Sequence, residues 1–518
     1  MELFPPILQL MKKIIYIFIA GTLFTSCKKA LDQQPVSNNT VDTYFVTQND
    51  FLQATNAIYN DLKTYPDRLL NLSETRSDNL YAVSQGGVRD WEGINDFFRT
   101  LSSNPYVEEA WATDYNGISR ANTLIEQLAK NGEVITDATL RKRYEAEARF
   151  LRAFYYFDLL RWYGKVPLID HTVLADEALS IGRSPVADVY QLILADLKFA
   201  AENLPVPSAY PTADRGRISK YAAKSMLGLV YMTRSGPTYG IEGPGMGLNE
   251  WDLAVAQLNE VISSGQYNLL TNTGTATTAY GSIFSYANEN NKEVVFNVEY
   301  SSGSVPQLGA TYPWLLVPDA YFQSVGKPNQ GGLEIRPLSN SLLSSYDAGD
   351  WRKTFAVQSG YTIPNGVVET QSFYKKYIDL SQVPASRTDW PINFIVIRYT
   401  DVLMLKAECV LHGAAGSQIS DVDDVVNMIR IRAGLAGNRA GITLAELMEE
   451  RRKEFAGEGT RWHDLVRSGL VRTVMPAWIA ADDVKKQIQP FNTDFIIYPV
   501  PQSQLDVRPG LYTQNKGY

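Results

Sequence analysis

The chain has 518 residues, with 48 Lys and Arg against 56 Asp and Glu, and a formal net charge of −8 at pH 7. This acidic balance argues against a protein that relies on a basic surface to bind nucleic acid or an anionic membrane. The length exceeds one ordinary globular core, but a helical-repeat architecture can extend this far as one unit.

Residues 1–27 have the pattern of a bacterial lipoprotein signal peptide. Two lysines precede an apolar run over 14–24, which is too short to span a bilayer, and small residues lead to Cys27. We expect cleavage before Cys27 and acylation of it, as with palmitate; the alternative is an ordinary signal peptide with an incidental cysteine. Lipidation would leave Cys409 unpaired, so no intrachain disulfide is predicted. Met11 is an alternative start.

Polar, irregular residues 28–46 predict a flexible tether, after which helical periodicity begins. Small and aromatic residues alternate at spacings of three and four, without a strict 34-residue period, as in imperfect tetratricopeptide-like helix pairs. The helices predicted before residue 268 are at 49–62, 107–128, 139–163, 184–204, 218–234 and 251–264.

The stretch 268–395 changes character, because Gly, Ser, Asn, Thr and Tyr replace the helical pattern. We expect long loops with a few short strands, such as 293–300, draped over the helices, and loops are where binding residues usually lie. Helices return at 397–411 and 420–433. The predicted fold is mainly α, a tetratricopeptide-like α–α superhelical scaffold with long loops and a few short strands.

The chain is organised around the motif ERRKEFAGEGTRWHDL, residues 450–465. Glu450, Glu454 and Glu458 are four residues apart, so they line one face of a helix. Such a row could supply the acid and base of a glycosidase. We favour a partly buried Glu–Arg network that joins two helices, because structural ion-pair networks are commoner than active sites.

No cofactor or metal site is predicted. The glycine-rich stretch 243–247 contains proline and lacks a preceding strand, so it does not make a phosphate-binding loop. Three histidines occur in unrelated contexts without the spacing of metal ligands, and two cysteines are too few for a cysteine-rich site. After the signal peptide, no run of about 18 apolar residues predicts a membrane-spanning helix.

Several motifs resemble the SusD/RagB family of outer-membrane nutrient-binding lipoproteins. The pattern E-R-x-x-E-F-x-x-E-G-x-R-W-x-D-L-x-R begins at Glu450, and WATDYNGISRANTLIEQL begins at Trp111. Further matches are CKKALDQQP from Cys27, DWR at 350–352, FYKKY at 373–377 and YPVPQSQLDVRPGLYTQNKGY from Tyr498. The resemblance covers nearly the whole chain after the signal peptide, and it implies that the Glu450 motif is architectural. It divides the chain into a signal peptide (1–27), a tether (28–46), a SusD-like helical repeat region (47–267) and a RagB/SusD region with variable ligand-binding loops (268–518).

The family resemblance also implies a function. The protein would capture oligosaccharide at the cell exterior and act as the hinged lid of a SusC-like TonB-dependent β-barrel transporter, anchored in the outer membrane by its lipid. No enzymatic activity is expected from it. Two alternatives stay open at this point: the same lid role for peptide uptake, and a glycoside hydrolase that uses Glu450, Glu454 and Glu458.

A sugar ring is bound by an exposed Trp or Tyr platform with polar side chains at its edge. By their place relative to the family's ligand-binding loops, the candidate aromatic platforms are Trp91, Tyr312, Trp314 and Tyr321. The candidate polar contacts are Asp78, Asn79, Arg89 and Asn95. The alternative for each aromatic residue is that it seals a loop onto the scaffold.

Overall fold

The computed structural model describes residues 41–82, 89–98, 101–272, 277–416 and 418–518. The predicted signal peptide, Cys27 and the tether up to residue 40 lie outside the described residues. The chain divides into two units, 1–50 and 51–518. In the first unit, Asp50 accepts hydrogen bonds from the backbone nitrogen and the hydroxyl of Thr47, at 2.7 and 2.8 Å. In the described part of the chain, none of the helices combines the length and apolar character needed to cross a membrane.

The described chain is built mainly of α-helices, and the longer ones are labelled here in chain order. They are α1 (Gln48–Asn60), α2 (Pro105–Asn131), α3 (Ala138–Tyr163), α4 (Val186–Asn203), α5 (Lys220–Ser235), α6 (Trp251–Ser263), α7 (Tyr399–Leu411), α8 (Ile419–Arg432), α9 (Leu444–Phe455), α10 (Arg461–Ser468) and α11 (Val471–Asp482).

Short helical turns lie between these helices. The α-helical ones are Val41–Tyr44, Tyr65–Arg68, Asp90–Asn95, Ala175–Ala178, Tyr312–Leu316, Asp319–Ser324, Asn340–Ser345, Trp351–Ala356 and Gln502–Val507. Leu69–Glu74 is a π-helical turn. The 3₁₀ turns are Asp61–Thr64, Leu101–Ser103, Gly132–Val134, Pro207–Ala209, Thr212–Asp214, Gly281–Phe284, Tyr286–Asn288 and Thr493–Ile496.

From α2 to α8, each helix packs against the next one in the chain. Helix α3 packs against both α2 and α4, and every residue from Phe150 to Tyr163 is buried. Gly117 of α2 lets the two longest helices approach closely, since a Cβ there would lie 2.3 Å from the Tyr155 ring. Helix α3 ends at Gly164, whose φ of 68° favours glycine. The predicted α–α superhelical scaffold is confirmed.

The predicted loop region is an insertion between two adjacent scaffold helices, because α6 packs directly against α7. Scaffold helices thus lie on both sides of the domain boundary predicted at 267/268. That boundary stays a prediction. Arg398, the last residue of strand β6, directly precedes α7. The C-terminal end of the insertion therefore continues directly into helix α7.

Within the ranges that the structure describes, the strands form three two-stranded antiparallel ladders. Strand β1 (Val166–Pro167) pairs with β2 (Arg183–Ser184), β3 (Val294–Val298) with β6 (Phe394–Arg398), and β4 (Val357–Thr362) with β5 (Val368–Tyr374). The few short strands predicted from the sequence are confirmed.

Candidate functional site

Glu454 on α9 lies at the centre of a buried ion network. Its Oε1 accepts a hydrogen bond from Arg398 at 2.7 Å and another from Arg432, and its Oε2 accepts one from Arg352 at 3.3 Å. Burial opposes the charged carboxylate, but the three guanidinium groups outweigh it and lower the pKa of Glu454 to about 2. The network therefore holds the end of β6, the end of α8 and the Trp351–Ala356 turn against α9.

The other two carboxylates of the row are buried in the same way. Glu458 forms ion pairs with Lys376 at 2.6 Å and with Arg398 at 2.9 Å. Glu450 forms one with Arg352 at 2.7 Å. The Glu450, Glu454 and Glu458 side chains are at most 5% exposed, so a substrate cannot reach them. The predicted Glu–Arg network is confirmed, and a glycosidase that uses these carboxylates is contradicted.

The polar residues predicted to edge the ligand at Asp78, Asn79 and Asn95 instead belong to the interior. Asp78 accepts hydrogen bonds from Arg461 at 2.8 and 3.0 Å, and burial is outweighed by Arg452 and Arg461, which lower its pKa to about 2. Asn79 accepts from Arg452 at 2.8 Å, and Asn95 donates to a backbone carbonyl at 2.7 Å. All three are at most 1% exposed. Their polar groups are already satisfied, which corrects the prediction that they contact ligand.

Three of the four predicted aromatic platforms are also buried. Tyr312 is 0% exposed, and Trp91 and Tyr321 are each 7% exposed. The Tyr312 ring packs 4.9 Å from that of Tyr377, Trp91 lies under the guanidinium of Arg336, and Tyr321 packs edge-on against a phenylalanine ring. These rings seal loops onto the frame, so the prediction of an exposed sugar platform is wrong for Trp91, Tyr312 and Tyr321.

The two remaining candidates, Arg89 and Trp314, are at least partly exposed, and each lies against a different residue of the segment 332–334, which the sequence did not single out. Arg89 is exposed and donates to Glu334 at 2.7 Å, while Trp314 is partly exposed. Trp314 lies beside Gly332, where a Cβ would be 3.8 Å from its ring. Because consecutive Cα atoms are 3.8 Å apart, Glu334 lies within about 8 Å of Gly332 along the chain.

Leu333 stands between these positions and is 80% exposed. We call the residues Arg89, Trp314, Leu333 and Glu334 the Trp314 surface. It combines a partly exposed tryptophan, an exposed aliphatic side chain and an exposed ion pair. Leu333 and Glu334 lie in the loop region without any motif, so only the fold could reveal their position.

The turn that carries Trp314 is fixed to the scaffold through the preceding residue. Thr311 donates its hydroxyl hydrogen to Oδ2 of Asp67 at 2.5 Å. Asp67 is partly exposed as a residue, yet its Oδ1 is buried without a hydrogen-bond partner. Burial raises the pKa of Asp67 to about 7, more than the Thr311 hydrogen bond lowers it.

We expect Asp67→Asn to change how stability depends on pH. The folded pKa of about 7 lies above the ordinary value of 3.8. The protonated carboxyl of Asp67 therefore makes its full contribution to stability below pH 3.8. This contribution is lost as the pH rises through 7. Relative to the wild type, the variant should therefore gain on the order of 1 kcal/mol in unfolding free energy between pH 5 and pH 8. Urea titrations at both pH values measure it, with the exposed Asp176→Asn as control. A wild-type-to-variant difference that is the same at both pH values would contradict the raised pKa.

Among the described residues, no group of His, Cys, Asp and Glu has the arrangement needed to hold a metal ion. The molecule combines an α–α scaffold, a buried Glu–Arg network that fixes it, and an accessible surface on a long insertion. These features define a class of proteins in which a helical scaffold carries a long loop insertion.

Family comparisons agree with this class. Residues 344–518 match the model of the SusD family, and residues 29–232 match a model described as "Starch-binding associating with outer membrane". The chain is a member of the SusD/RagB family, and the resemblance noted in its motifs is confirmed.

Relatives and solved structures cover most of the chain. A SusD-like protein of Bacteroides ovatus is 28% identical over 483 residues, which are 88% of this chain and 82% of that protein. The crystal structure of a SusD superfamily protein from Parabacteroides distasonis is 25% identical, with a TM-score of 0.74 over 91% of this chain and 99% of that one. Surface glycan-binding protein A from Bacteroides thetaiotaomicron, solved in complex with laminarihexaose, has a TM-score of 0.74 at 22% identity and covers 91% of this chain and 100% of its own.

Proposed function

We propose that this protein captures oligosaccharide with the Trp314 surface and does not cleave it. The observation that carries the proposal is that the partly exposed Trp314 and the exposed Arg89–Glu334 pair lie against the same short segment, residues 332–334. An indole face fits the flat C–H face of a sugar ring, and the charged pair can form hydrogen bonds with hydroxyl groups at its edge. Support also comes from the structural neighbour that binds laminarihexaose.

The proposed cellular role is that of a lid on a SusC-like TonB-dependent transporter, for nutrient uptake at the outer membrane. The lipoprotein pattern ending at Cys27 would supply a lipid anchor that leaves the protein facing the exterior. A matching family model names an outer-membrane association. The buried Glu454 network favours movement of the scaffold as one body, with closure and not chemistry delivering the ligand.

Binding measurements with matched glycan and peptide panels test the cargo. We expect neutral or acidic oligosaccharides to bind the purified chain, with no release of shorter sugars on prolonged incubation. Binding of peptides alone would contradict the sugar cargo and support the peptide alternative. Cleavage of a bound glycan by the pure protein would contradict the assignment as a binding protein. The transporter role is tested separately, by asking whether the chain copurifies with a TonB-dependent barrel.

A further inference from the structure

A large concavity elsewhere on the molecule shares no residue with the Trp314 surface. It is a groove of about 720 Å³. One wall is the connection between α4 and α5, residues 207–219, and the other is the segment 287–297, which includes most of β3. A smaller pocket of about 250 Å³ shares residues Arg215, Gly216, Arg217 and Asn297 with the groove. Nothing in the Trp314 surface or the buried Glu454 network explains so large an opening.

The charged residues in and next to the groove fall into two groups. Arg217 is neutralised, because it pairs with Glu147 at 2.8 Å and with Asp214 at 2.8 Å. Arg143 pairs with the same two carboxylates, at 3.2 and 2.9 Å. These two arginines and two carboxylates form a closed, neutral set that shapes the wall and leaves no charge for a ligand.

The second group consists of Arg215 and Lys292, which lie on opposite walls. Both residues are exposed and line the groove. Across the described ranges, neither side chain has a carboxylate within ion-pair distance. Glu299 of the smaller pocket has its carboxylate against Gly216 and accepts from Asn290 at 2.7 Å. Of the four charged residues that line the groove, Asp214 and Arg217 pair with each other, so Arg215 and Lys292 leave the lining with an excess of positive charge.

The neutral part of the lining is suited to hydroxyl groups. Gln266 accepts from the Ser208 backbone at 3.2 Å through Oε1, which leaves its amide nitrogen available. Tyr210 is partly exposed and held in place by its hydroxyl, which donates to the Ile218 carbonyl at 2.8 Å. A fixed phenol ring and free amide donors are the groups that bind the faces and edges of sugar rings.

We propose that this groove is a second binding site, for oligosaccharides that carry carboxylate or sulfate groups, held by Arg215 and Lys292 from opposite walls. The choice of a saccharide rests on the proposed function, whereas the choice of an anion rests on the two unpaired cations. An acidic glycan long enough to fill the groove would place negative groups between both cations. A neutral glycan would use the Trp314 surface alone.

Titration calorimetry of the full chain with tetragalacturonate, a sulfated galactotetraose, neutral galactotetraose and tetraglutamate tests this site. We expect at least one anionic sugar to bind. Arg215→Gln combined with Lys292→Gln should weaken it roughly tenfold, because two charge contacts are lost. The double variant should leave binding of neutral sugar unchanged. Raising NaCl from about 50 to about 500 mM should weaken the wild type more than the variant.

The matched control is Arg439→Gln combined with Lys485→Gln, which removes the same two charges from exposed positions outside the groove. The site is overturned if neither anionic sugar binds, or if both double variants lose affinity equally. It is also overturned if tetraglutamate binds as tightly as the sugars, since charge alone would then explain the result. Trp314→Ala separates the two proposals. It should reduce binding of neutral sugar and leave binding of the anionic sugar unchanged, whereas the Arg215 and Lys292 double variant should do the reverse.

Discussion

Glu454→Gln should destabilise the protein by roughly 3–5 kcal/mol, the cost of breaking a buried ion pair from one side. The substitution keeps the shape of the side chain and removes its charge. Arg352, Arg398 and Arg432 would then share one buried counter-charge fewer, although each is at most 1% exposed. The free energy of unfolding from urea titration, followed by circular dichroism, measures the loss.

Glu449→Gln is the matched control, from the same helix. Glu449 also pairs with arginines, with Arg461 at 2.8 Å and Arg452 at 3.5 Å, but its side chain is 44% exposed. Water screens such a pair, so its loss should cost about 1 kcal/mol or less. Equal destabilisation by the two variants would contradict the claim that burial makes the Glu454 network a structural centre.

The carboxylate half of this network can be predicted from the sequence, whereas its arginine partners cannot. Spacing by four puts Glu450, Glu454 and Glu458 on one helical face without knowledge of the fold. Their partners Arg398 and Arg432 come from other elements, and chain spacing carries no information about which distant side chains meet. The α–α array was predictable for a similar reason, because helical periodicity is a local property.

The predicted ligand-binding residues, in contrast, could not be placed correctly from the sequence. Asp78 and Asn79 lie in a polar stretch that looks like a surface loop, but the buried Arg461 and Arg452 require anionic and acceptor groups beside them. Which of Tyr312 and Trp314 is exposed depends on the direction in which each side chain leaves its helical turn. Two residues along a helix are turned by about 200°, so one ring faces the core and the other faces outward. The direction of a five-residue turn in an insertion cannot be derived from composition.

Trp314→Ala should weaken oligosaccharide binding by on the order of 2 kcal/mol, about thirtyfold in Kd, as truncation of a central tryptophan commonly does in recognition surfaces. The reason is the loss of the indole face against the sugar ring, while Arg89 and Glu334 keep their mutual ion pair. Calorimetry or fluorescence titration with the tightest neutral glycan of the panel measures the effect. Trp314→Phe should recover part of the affinity, since a smaller ring keeps some of the stacking area.

Trp351→Ala is the matched control, because this tryptophan is 40% exposed and lies outside the Trp314 surface, against Gly434. It should leave the Kd within about twofold, since surface changes away from a binding site have small effects. Equal loss in both tryptophan variants would point to a general change in the insertion. Unchanged affinity in Trp314→Ala, with an unfolding midpoint equal to that of the wild type, would remove the Trp314 surface as the sugar site. That result would not affect the α–α scaffold. The groove lined by Arg215 and Lys292 would become the principal candidate for oligosaccharide binding.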